Sequence, residues 1–366
     1  MLAGAGIAMA AASRAGAQAG ATAPSTTASS ETRAGLVPTL SLRLRAEHWD
    51  WFGDAAAERY TYAHALLRAG LRGEARAHGW QVELAAPLLT ALPRAATQGH
   101  GAAYRRANGD ADALARLFVR QAFVTVGEAA RGPHARLGRF EFSEGGERVP
   151  GDAVLAELKR RSVVQRLVGP FGFTQGGRAI DGLELQWRGR GLTASALGGV
   201  PTRGVFAIDG TDHVRELPVA YAALSGPWGA RGPAGPAPGD LAPGEWRLFA
   251  VTLQDRRGLV PADARPLAVR QADRGPIAVT TFGAHLLRRW PTRAGSVDLA
   301  LWGAWQGGRW GAQDHRAVAH DVELGWQPSA LPWHPWLRLG HYTGGGDQRA
   351  GDGTHGTFFQ SLATPR

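Results

Sequence analysis

Arginine is the residue whose type and spacing carry most of the chemistry in this sequence. The chain has 41 basic against 31 acidic residues, a net charge of +10, and Lys159 is its only lysine. A guanidinium stays charged at any accessible pH, and its planar fork fits a carboxylate or a phosphate. The arginines are densest between residues 136 and 188, where acidic residues are mixed with them: Arg136, Arg139, Arg148, Arg160, Arg161, Arg166, Arg178 and Arg188 with Glu141, Glu144, Glu147, Asp152 and Asp181. This composition predicts a polyanionic partner.

No enzyme motif accompanies these arginines. GxSxG, HExxH and P-loop sequences are missing, and the absence of cysteine excludes thiolate catalysis and cysteine metal sites. The closest histidines, His315 and His320, fall in opposite phases of a strand, which is poor geometry for a metal. The Gly/Asp-rich stretch 344–353 has the composition of a calcium loop but not its spacing, so a surface loop is favoured. Carboxylates are plentiful, and no pair stands out as a glycosidase pair. We therefore expect no catalysed reaction, no cofactor and no metal.

The elements that would position the arginines are short alternating segments. In 40–48 the leucines fall on one side, and Arg43, Arg45 and Glu47 fall on the other. The same alternation predicts strands at 40–48, 63–77, 80–84, 116–126, 135–143, 179–188, 191–199, 246–254, 277–288, 296–306, 317–327 and 335–342. The Gly/Pro-rich stretch 226–244 predicts a turn. No run approaches the roughly 18 apolar residues of a membrane helix.

The polar face of these strands distinguishes between two all-β folds. A soluble sandwich would alternate in the same way, but a dry core does not tolerate unpaired arginine, whereas a water-filled lumen does. Tryptophans lie near predicted strand ends, where the aromatic girdles of a membrane barrel are found. These are Trp49, Trp51, Trp290, Trp302, Trp305, Trp310, Trp326, Trp333 and Trp336. The pattern favours a transmembrane antiparallel β-barrel over residues 37–366.

Three further segments have separate interpretations. Residues 1–19 resemble a signal peptide with Ala17-Gln18-Ala19 as the cleavage site, although a disordered Ala/Gly tail is an alternative. Residues 20–36 have the composition of a linker. Residues 151–167 predict the one helix of the chain, which is either a loop helix with a solvated charged side or part of a segment folded into or over a pore.

Several blocks of the sequence resemble a known family. GRFEFSEGGER, RRSVVQRLVGPFGF and GRAIDGLELQW are similar to the central signature of the bacterial alginate-export family of outer-membrane β-barrels, and HYTGGGDQRAGDGTHGTFFQSLATP is similar to a later segment of that family. The resemblance implies a passive channel in the bacterial outer membrane, with about 18 strands and a final strand that ends on an aromatic residue. Because the pattern gives about a dozen strands and the last residues read as a loop, we expect a chain truncated at its C-terminus.

The resulting expectation is an arginine-lined path for an anionic polysaccharide or smaller anions. Its lining is predicted to comprise Arg43, Arg45, Arg68, Arg72, Arg120, Arg139, Arg160, Arg166 and Arg178, with Glu141 and Asp181. Acidic neighbours such as Asp152 and Glu184 would hold the arginines in place and moderate their field. Other expected partners are outer-membrane lipid and periplasmic export machinery, but not nucleic acid. The alternative function is a secreted all-β protein that binds or cleaves a polysaccharide.

Overall fold

The computed structural model describes residues 7–8, 35–50, 56–75, 77–189, 191–229, 243–333 and 335–364. The predicted signal peptide and linker lie almost entirely outside these ranges, and so does Trp51.

Strands make up most of the described chain. They are β1 (Ile7–Ala8), β2 (Gly35–Asp50), β3 (Arg59–Ala75), β4 (His78–Thr90), β5 (Leu114–Ala115), β6 (Phe118–Gly127), β7 (Gly132–Phe140), β8 (Ile180–Gly189), β9 (Leu192–Pro201), β10 (Val219–Trp228), β11 (Gly244–Asp255), β12 (Ile277–Thr292), β13 (Gly295–Trp310), β14 (Gln313–Pro328), β15 (Leu337–Gly344) and β16 (Thr354–His355). The helices are α1 (Gly99–Ala107), α2 (Ala153–Ser162) and α3 (Leu267–Ala272), with a 3-10 turn at Ala56–Glu58. Within these ranges, no helix is long and apolar enough to cross a membrane.

The strands form a single sheet in which neighbours along the chain are neighbours in space. Its order is β2-β3-β4-β6-β7-β8-β9-β10-β11-β12-β13-β14-β15-β1, and these pairs are antiparallel. The two-residue strand β5 pairs with β4, and β16 runs parallel to β14. This confirms the antiparallel all-β class predicted from the sequence. In the described residues β2 and β15 do not pair with each other, so the sheet is not closed there.

One face of the sheet exposes apolar side chains and the other buries charged ones, which is the opposite of the arrangement in a water-soluble protein. In β8 the apolar side chains Leu183, Leu185 and Trp187 are exposed, whereas Glu184 between them is buried. In β2 the leucines are also exposed, up to 77% for Leu40. We call the side with the exposed apolar residues the outer face and the side with the charged residues the inner face. An exposed apolar face of this extent requires a hydrocarbon environment.

No second sheet covers the outer face in the described part of the chain. The packed residues lie on the inner side instead, in a cluster that includes Phe140, Tyr221, Phe249 and Trp302. A two-sheet sandwich would bury the leucines between its sheets. The observed burial therefore contradicts the sandwich and agrees with the barrel-type alternation.

The connections between strands differ in length at the two ends of the strands. At one edge, the short-turn rim, the connections are 76–77, 128–131, 190–191, 229–243, 293–294 and 329–336, and four of these six have four residues or fewer. At the opposite edge, the long-loop rim, they include 91–117, 141–179, 202–218 and 256–276. The two rims therefore offer different amounts of chain for contact with a solute or for insertion into the interior.

Tryptophan placement agrees only in part with the predicted girdle. Six tryptophans lie on the outer face near the short-turn rim: Trp80, Trp187, Trp228, Trp246, Trp290 and Trp326. Trp49, Trp302 and Trp310 are on the inner face, so their assignment to a girdle was wrong. Proximity to a strand end does not reveal which face a side chain takes, because that depends on its phase in the strand.

The sequence pattern missed one long strand and two helices. β10 was not predicted, because Ala220, Ala222 and Ala223 on its two faces weaken the alternation, and its last residues were assigned to the turn at 226–244. The helix predicted at 151–167 is confirmed as the shorter α2. The expectation that it is the one helix was wrong, since α1 and α3 also form. Both are short helices in connections, where periodicity gives little signal.

The outer face provides a direct test of the membrane environment. Replacing Leu248, which is 54% exposed in the middle of β11, by Arg should destabilise the bilayer-inserted protein by about 2–4 kcal/mol. The measurement is urea-induced unfolding of protein inserted in phospholipid vesicles. Leu259→Arg is the matched control, because Leu259 is equally exposed but lies in the 256–276 connection. Equal stability of the two variants would contradict the assignment of the outer face.

Candidate functional site: the inner face and its re-entrant segment

One connection fills the space on the inner side of the sheet. We call residues 141–179, which join β7 to β8, the re-entrant segment. It contacts strands from one end of the sheet order to the other: Arg43 of β2 donates to the Gly172 carbonyl at 2.7 Å, and Arg166 pairs with Asp321 of β14. Because a single connection reaches both β2 and β14, the sheet must curve around it.

The segment enters at the long-loop rim and reaches the opposite edge. Near the short-turn rim, Arg148 donates to the carbonyl of Gly191 at 2.7 Å, and Arg289 of β12 pairs with Asp152 at 2.6 Å. The chain then returns to the long-loop rim to begin β8 at Ile180. The structure therefore decides between the two interpretations of this region in favour of a segment folded into the interior.

The helix α2 lies within this segment and is held by a cap and an apolar side. The carboxylate of Asp152 accepts hydrogen bonds from the backbone N–H groups of residues 154 and 155, each at 3.0 Å, which satisfies donors at the helix start. Leu155 and Leu158 are buried against Leu287 of β12 and Ala300 of β13. Asp152 also pairs with Arg289, so a single carboxylate starts the helix and fixes it to the sheet.

A fully buried charge joins the segment to β11. The side chain of Arg247 has no exposed surface, and its guanidinium lies 2.7 Å from Glu144 and 3.4 Å from Glu147. It also donates to the hydroxyl of Tyr221 at 2.5 Å, and that hydroxyl donates to Glu147. A buried guanidinium is tolerated when its charge is matched, and the carboxylates of Glu144 and Glu147 supply the matching charge here.

A second buried cluster lies nearer the short-turn rim. Lys159 of α2 contacts Glu245 of β11 at 2.5 Å, and His285 of β12 lies 3.2 Å from the same carboxylate. The Lys159 ammonium also donates to the carbonyl of Arg148 at 2.7 Å. The only lysine of the sequence is thus a structural contact between the helix and the sheet.

The first two predicted site residues hold the returning half of the segment. Arg43 donates to the carbonyl of Thr174 and to the side chain of Gln175, at 2.6 and 2.7 Å. Arg45 donates to the carbonyl of Phe173 at 2.8 Å. Both lie on the inner face as the alternation predicted, but protein carbonyls occupy part of their donor capacity.

Arg68, Arg120 and Glu141 are brought together in one network. Glu141 lies 3.1 Å from the guanidinium of Arg68 and 2.6 Å from that of Arg120. Arg68 also pairs with Glu83 of β4 at 2.6 Å. The register shift between β4 and β6 leaves Arg120 without a partner residue on β4, and both it and the following Gln121 are buried.

Arg139 and Asp181 form a bidentate pair on adjacent strands, with both nitrogen–oxygen distances at 2.7 Å. Because Leu137 pairs with Leu183 and Arg139 with Asp181, the ion pair lies in the strand phase of the outer-face leucines. It sits at the long-loop rim, where Arg139 also donates to the carbonyls of residues 210 and 211, at 3.0 and 2.6 Å. This pair therefore fastens the 202–218 connection to the rim.

Arg166 and Arg178 are both in the re-entrant segment. Arg166 pairs with Asp321 and lies with its guanidinium 4.8 Å from the ring centre of Trp302. Arg178 donates to the carbonyl of Leu362 at 2.6 Å, which ties the segment to the C-terminal stretch. Burial lowers the pKa of Arg178 to about 10. The group still carries its charge at neutral pH.

Two of the predicted arginines are exposed. Arg72 lies in the inner-face phase of β3 near the short-turn rim, and it has no ion-pair or hydrogen-bond partner in the described residues. Among the described residues, Arg160 of α2 pairs only with Glu157, one turn away on the same helix, at 2.6 Å. Its neighbour Arg161 has no carboxylate partner in the described part of the chain and lies 5.7 Å from the ring of Trp336.

Several inner-face charges were not among the predicted site residues. Arg136 pairs with Glu184 at 2.5 Å, and Arg338 of β15 pairs with Asp298 and Glu323 at 2.8 and 2.7 Å. Arg247 was also missed, although it lies in the predicted strand 246–254 in alternation with Trp246 and Leu248. Strand phase was the signal that could have found it, whereas local arginine density directed attention to residues 136–188.

A cavity remains beside the re-entrant segment. It has a volume of about 740 Å³ and lies between the segment, strands β13–β15 and the C-terminal stretch. Two arginines, Arg161 and Arg166, line it together with the aromatic rings of Trp302 and Tyr342. Within the described ranges, no three His, Asp or Glu side chains are close enough to hold a metal ion.

Comparison with known protein families finds a match over part of the chain. Residues 245–362 match the model of the alginate export family. The match covers about a third of the chain, from the start of β11 to the C-terminal stretch. It confirms the resemblance inferred from the sequence, and it lies entirely outside residues 136–188 but includes most of the later segment, HYTGGGDQRAGDGTHGTFFQSLATP, that also resembled the family. No curated protein matches the chain in sequence.

Solved structures resemble the fold at low sequence identity. OprB of Pseudomonas putida, in its high-pH structure, has a TM-score of 0.41 and 11% identity, covering 84% of this chain and 74% of its own. OccK9 (OpdG) of Pseudomonas aeruginosa has a TM-score of 0.31 and 14% identity, covering 85% and 98%. OccK2 (OpdF) of the same species, in complex with glucuronate, has a TM-score of 0.32 and 11% identity, covering 87% and 81%.

The family match and the apolar outer face support the same location for the protein. Residues 245–362 belong to the part of the sheet where exposed leucines and tryptophans alternate with buried charges. Together they support a channel for solutes in the bacterial outer membrane, in agreement with the predicted location.

Arg247 provides a test of how the re-entrant segment is held. Replacing Arg247 by Met should destabilise the protein by about 3–5 kcal/mol, because Glu144 and Glu147 would remain buried without their cation. Arg309→Met is the control, because Arg309 pairs with Asp314 at 3.2 Å on the surface, and its loss should cost less than about 1 kcal/mol.

The free energy of unfolding in denaturant and the rate of protease cleavage within 141–179 would be measured for both variants. Arg247→Lys retains a charge, so its stability should be intermediate between those of wild type and Arg247→Met. This comparison separates the effect of the lost charge from the effect of the lost side-chain shape. A change no larger for Arg247→Met than for Arg309→Met would contradict the anchoring role.

Proposed function

We propose that this protein is a passive outer-membrane channel for an anionic polysaccharide, or for smaller anions, and that its inner-face arginines line the path. The observation that carries the proposal is the separation of the two faces: exposed leucine and tryptophan on one side, and a continuous set of charged residues on the other. Such a sheet places its charged face inside and its apolar face against hydrocarbon.

Because most of these arginines are paired, they contribute a weaker positive electrostatic potential along the path than unpaired arginines would. Most of the inner-face arginines already contact a carboxylate or a carbonyl, as Arg43, Arg68 and Arg120 do. Conduction needs sites that are favourable enough to enter and weak enough to leave, and paired guanidinium groups satisfy both requirements. An acidic polymer with one carboxylate on nearly every sugar would pass from one such site to the next.

The cavity beside β13–β15 is the part of the path that remains open next to the re-entrant segment. Arg161 there has no carboxylate partner in the described residues, so its charge is available to a solute. The rings of Trp302 and Tyr342 offer flat apolar surfaces beside it, which suit the faces of a sugar ring. We infer that a uronate carboxylate would meet Arg161 and Arg166 at this point.

The connections suggest how the channel is oriented. Bacterial outer-membrane barrels have short turns on the periplasmic side and long loops outside. The short-turn rim is accordingly assigned to the periplasm, and the re-entrant segment enters from the exterior. Residues 1–19 are proposed to be the export signal, and periplasmic export machinery would meet the short-turn rim.

The alternative of a secreted polysaccharide-binding or -cleaving protein lacks a supporting observation. A soluble protein would have to expose Leu40, Leu44 and the other outer-face side chains to water across the whole sheet. Solubility without detergent, or release of products from a uronate polymer, would favour that alternative.

Conductance in planar lipid bilayers tests the proposal. Purified protein should show a conductance that prefers anions over cations in a salt gradient, because the unpaired charges on the path are arginines. A soluble polyuronate added to one side should block the current. A preference for cations, or insensitivity to polyuronate, would contradict the proposed substrate class.

Charge reversal at the cavity tests the proposed path. Arg161→Glu should lower the ratio of anion to cation permeability by a factor of about two or more, since it replaces an unpaired cation by an anion. Arg309→Glu is the control, because Arg309 is exposed in the outer-face phase of β13. Equal shifts in the reversal potential for both variants would show that the effect comes from net charge and not from the path.

A further inference from the structure

An arginine lies on the outer face, where apolar side chains otherwise predominate. Arg288 of β12 is directly opposite Gly244 of β11 and Leu299 of β13. Its guanidinium carbon is 5.0 Å from the ring centre of Trp228 and 5.4 Å from that of Trp290. The two rings hold the cation by their faces and cover its stem.

This arginine has no anionic partner within the described ranges. In these ranges no ion pair or hydrogen bond reaches the side chain of Arg288, and its Nε is buried without an acceptor. The next residue shows the contrast, because Arg289 points to the inner face and pairs with Asp152 at 2.6 Å. A guanidinium on a lipid-facing surface costs about 2–4 kcal/mol at the bilayer centre and much less at the interface. The charge is therefore placed favourably only at the interface, where a lipid anion can approach it.

The position of Arg288 along its strand indicates which anion is available. It lies near the short-turn rim, among the outer-face tryptophans, of which Trp246 and Trp326 are on strands β11 and β14. Tryptophan belts lie at the depth of the lipid headgroups. The anionic group at that depth is the phosphodiester of a phospholipid, which a guanidinium fork can bind through two hydrogen bonds.

The local backbone lets the side chain of Arg288 reach the ring of Trp228. Trp228, Gly244 and Arg288 lie in one row across three strands, and the middle residue has no side chain. A bulky residue at 244 would occupy the surface between the tryptophan and the guanidinium. The row therefore places the cation against the ring of Trp228, which is itself 42% exposed on the outer face.

We propose that Arg288, with Trp228 and Trp290, forms a binding site for the phosphodiester of a glycerophospholipid in the periplasmic leaflet. The site rests on the proposed membrane location and orientation but not on the identity of the transported anion. It would fix the depth of β10–β12 in the bilayer and hold one lipid for longer than the surrounding annulus does.

The test is native mass spectrometry of the detergent-purified full chain, titrated with a phospholipid and, separately, with a diacylglycerol that has the same acyl chains. Wild type should retain the phospholipid about tenfold more tightly than Arg288→Gln, because one bidentate charged contact is lost. Arg288→Lys should give an intermediate affinity. The diacylglycerol, which lacks the phosphate, should bind all variants equally.

Controls separate this site from general effects. Arg309→Gln, which removes an outer-face arginine at the other rim, should leave phospholipid retention unchanged. Inorganic phosphate at millimolar concentration should not displace the lipid, since it lacks the acyl chains that meet the outer face. Equal phospholipid retention by wild type, Arg288→Gln and Arg309→Gln would overturn the proposal, as would displacement by free phosphate. Anion selectivity in bilayers should be the same for Arg288→Gln and wild type, so this proposal and the channel function can fail independently.

Discussion

The pairing of buried guanidinium groups with carboxylates is the constraint on which the rest of this structure depends. Arg247 has no exposed side-chain surface, and it is tolerated because Glu144, Glu147 and Tyr221 surround it. A buried charge without such partners would be strongly destabilising. Two of those partners, Glu144 and Glu147, come from the re-entrant segment. The cation of β11 and the carboxylates of the segment therefore neutralise each other.

The same constraint explains why a long connection fills the interior. The inner face carries cations on strands β2, β3, β6, β11 and β12, and the segment supplies carboxylates and carbonyl groups along its whole length. Arg43, Arg68 and Arg120 contact its two ends, while Arg289 meets it near the opposite rim. The solute path is consequently confined to the space that the segment leaves free, chiefly the cavity lined by Arg161 and Arg166.

Arginine therefore has three different roles in this chain, and its immediate surroundings decide which one applies. On the inner face, most of the arginines are paired, and Arg43, Arg68 and Arg247 contact the re-entrant segment. At the cavity, Arg161 has no carboxylate within the described residues and is available to an anion. On the outer face, Arg288 lies between tryptophans without a protein acceptor at its Nε, which is a suitable arrangement for a lipid phosphate.

Much of the sheet could be predicted because strand periodicity is local. The leucines of β2 and the alternation of Leu183, Glu184 and Leu185 in β8 are visible in the sequence, and the structure places them as expected. β10 could not be found in this way, because alanine on both of its faces hides the period. The tryptophans near strand ends were assigned to a girdle by position alone, and Trp302 and Trp310 proved to be on the inner face.

The sequence by itself determined the all-β class, the membrane-type alternation and the abundance of arginine, since each of these depends on composition or on residues close together in the chain. Only the tertiary structure decided which arginines are paired. Arg166 and Asp321 are 155 residues apart in sequence, and Arg247 and Glu147 are 100 apart. Such partners meet because a connection folds back along the inner face, and no local pattern records where a long connection goes. For the same reason, the predicted set of lining residues mixed structural anchors such as Arg43 with solvent-accessible charges such as Arg72.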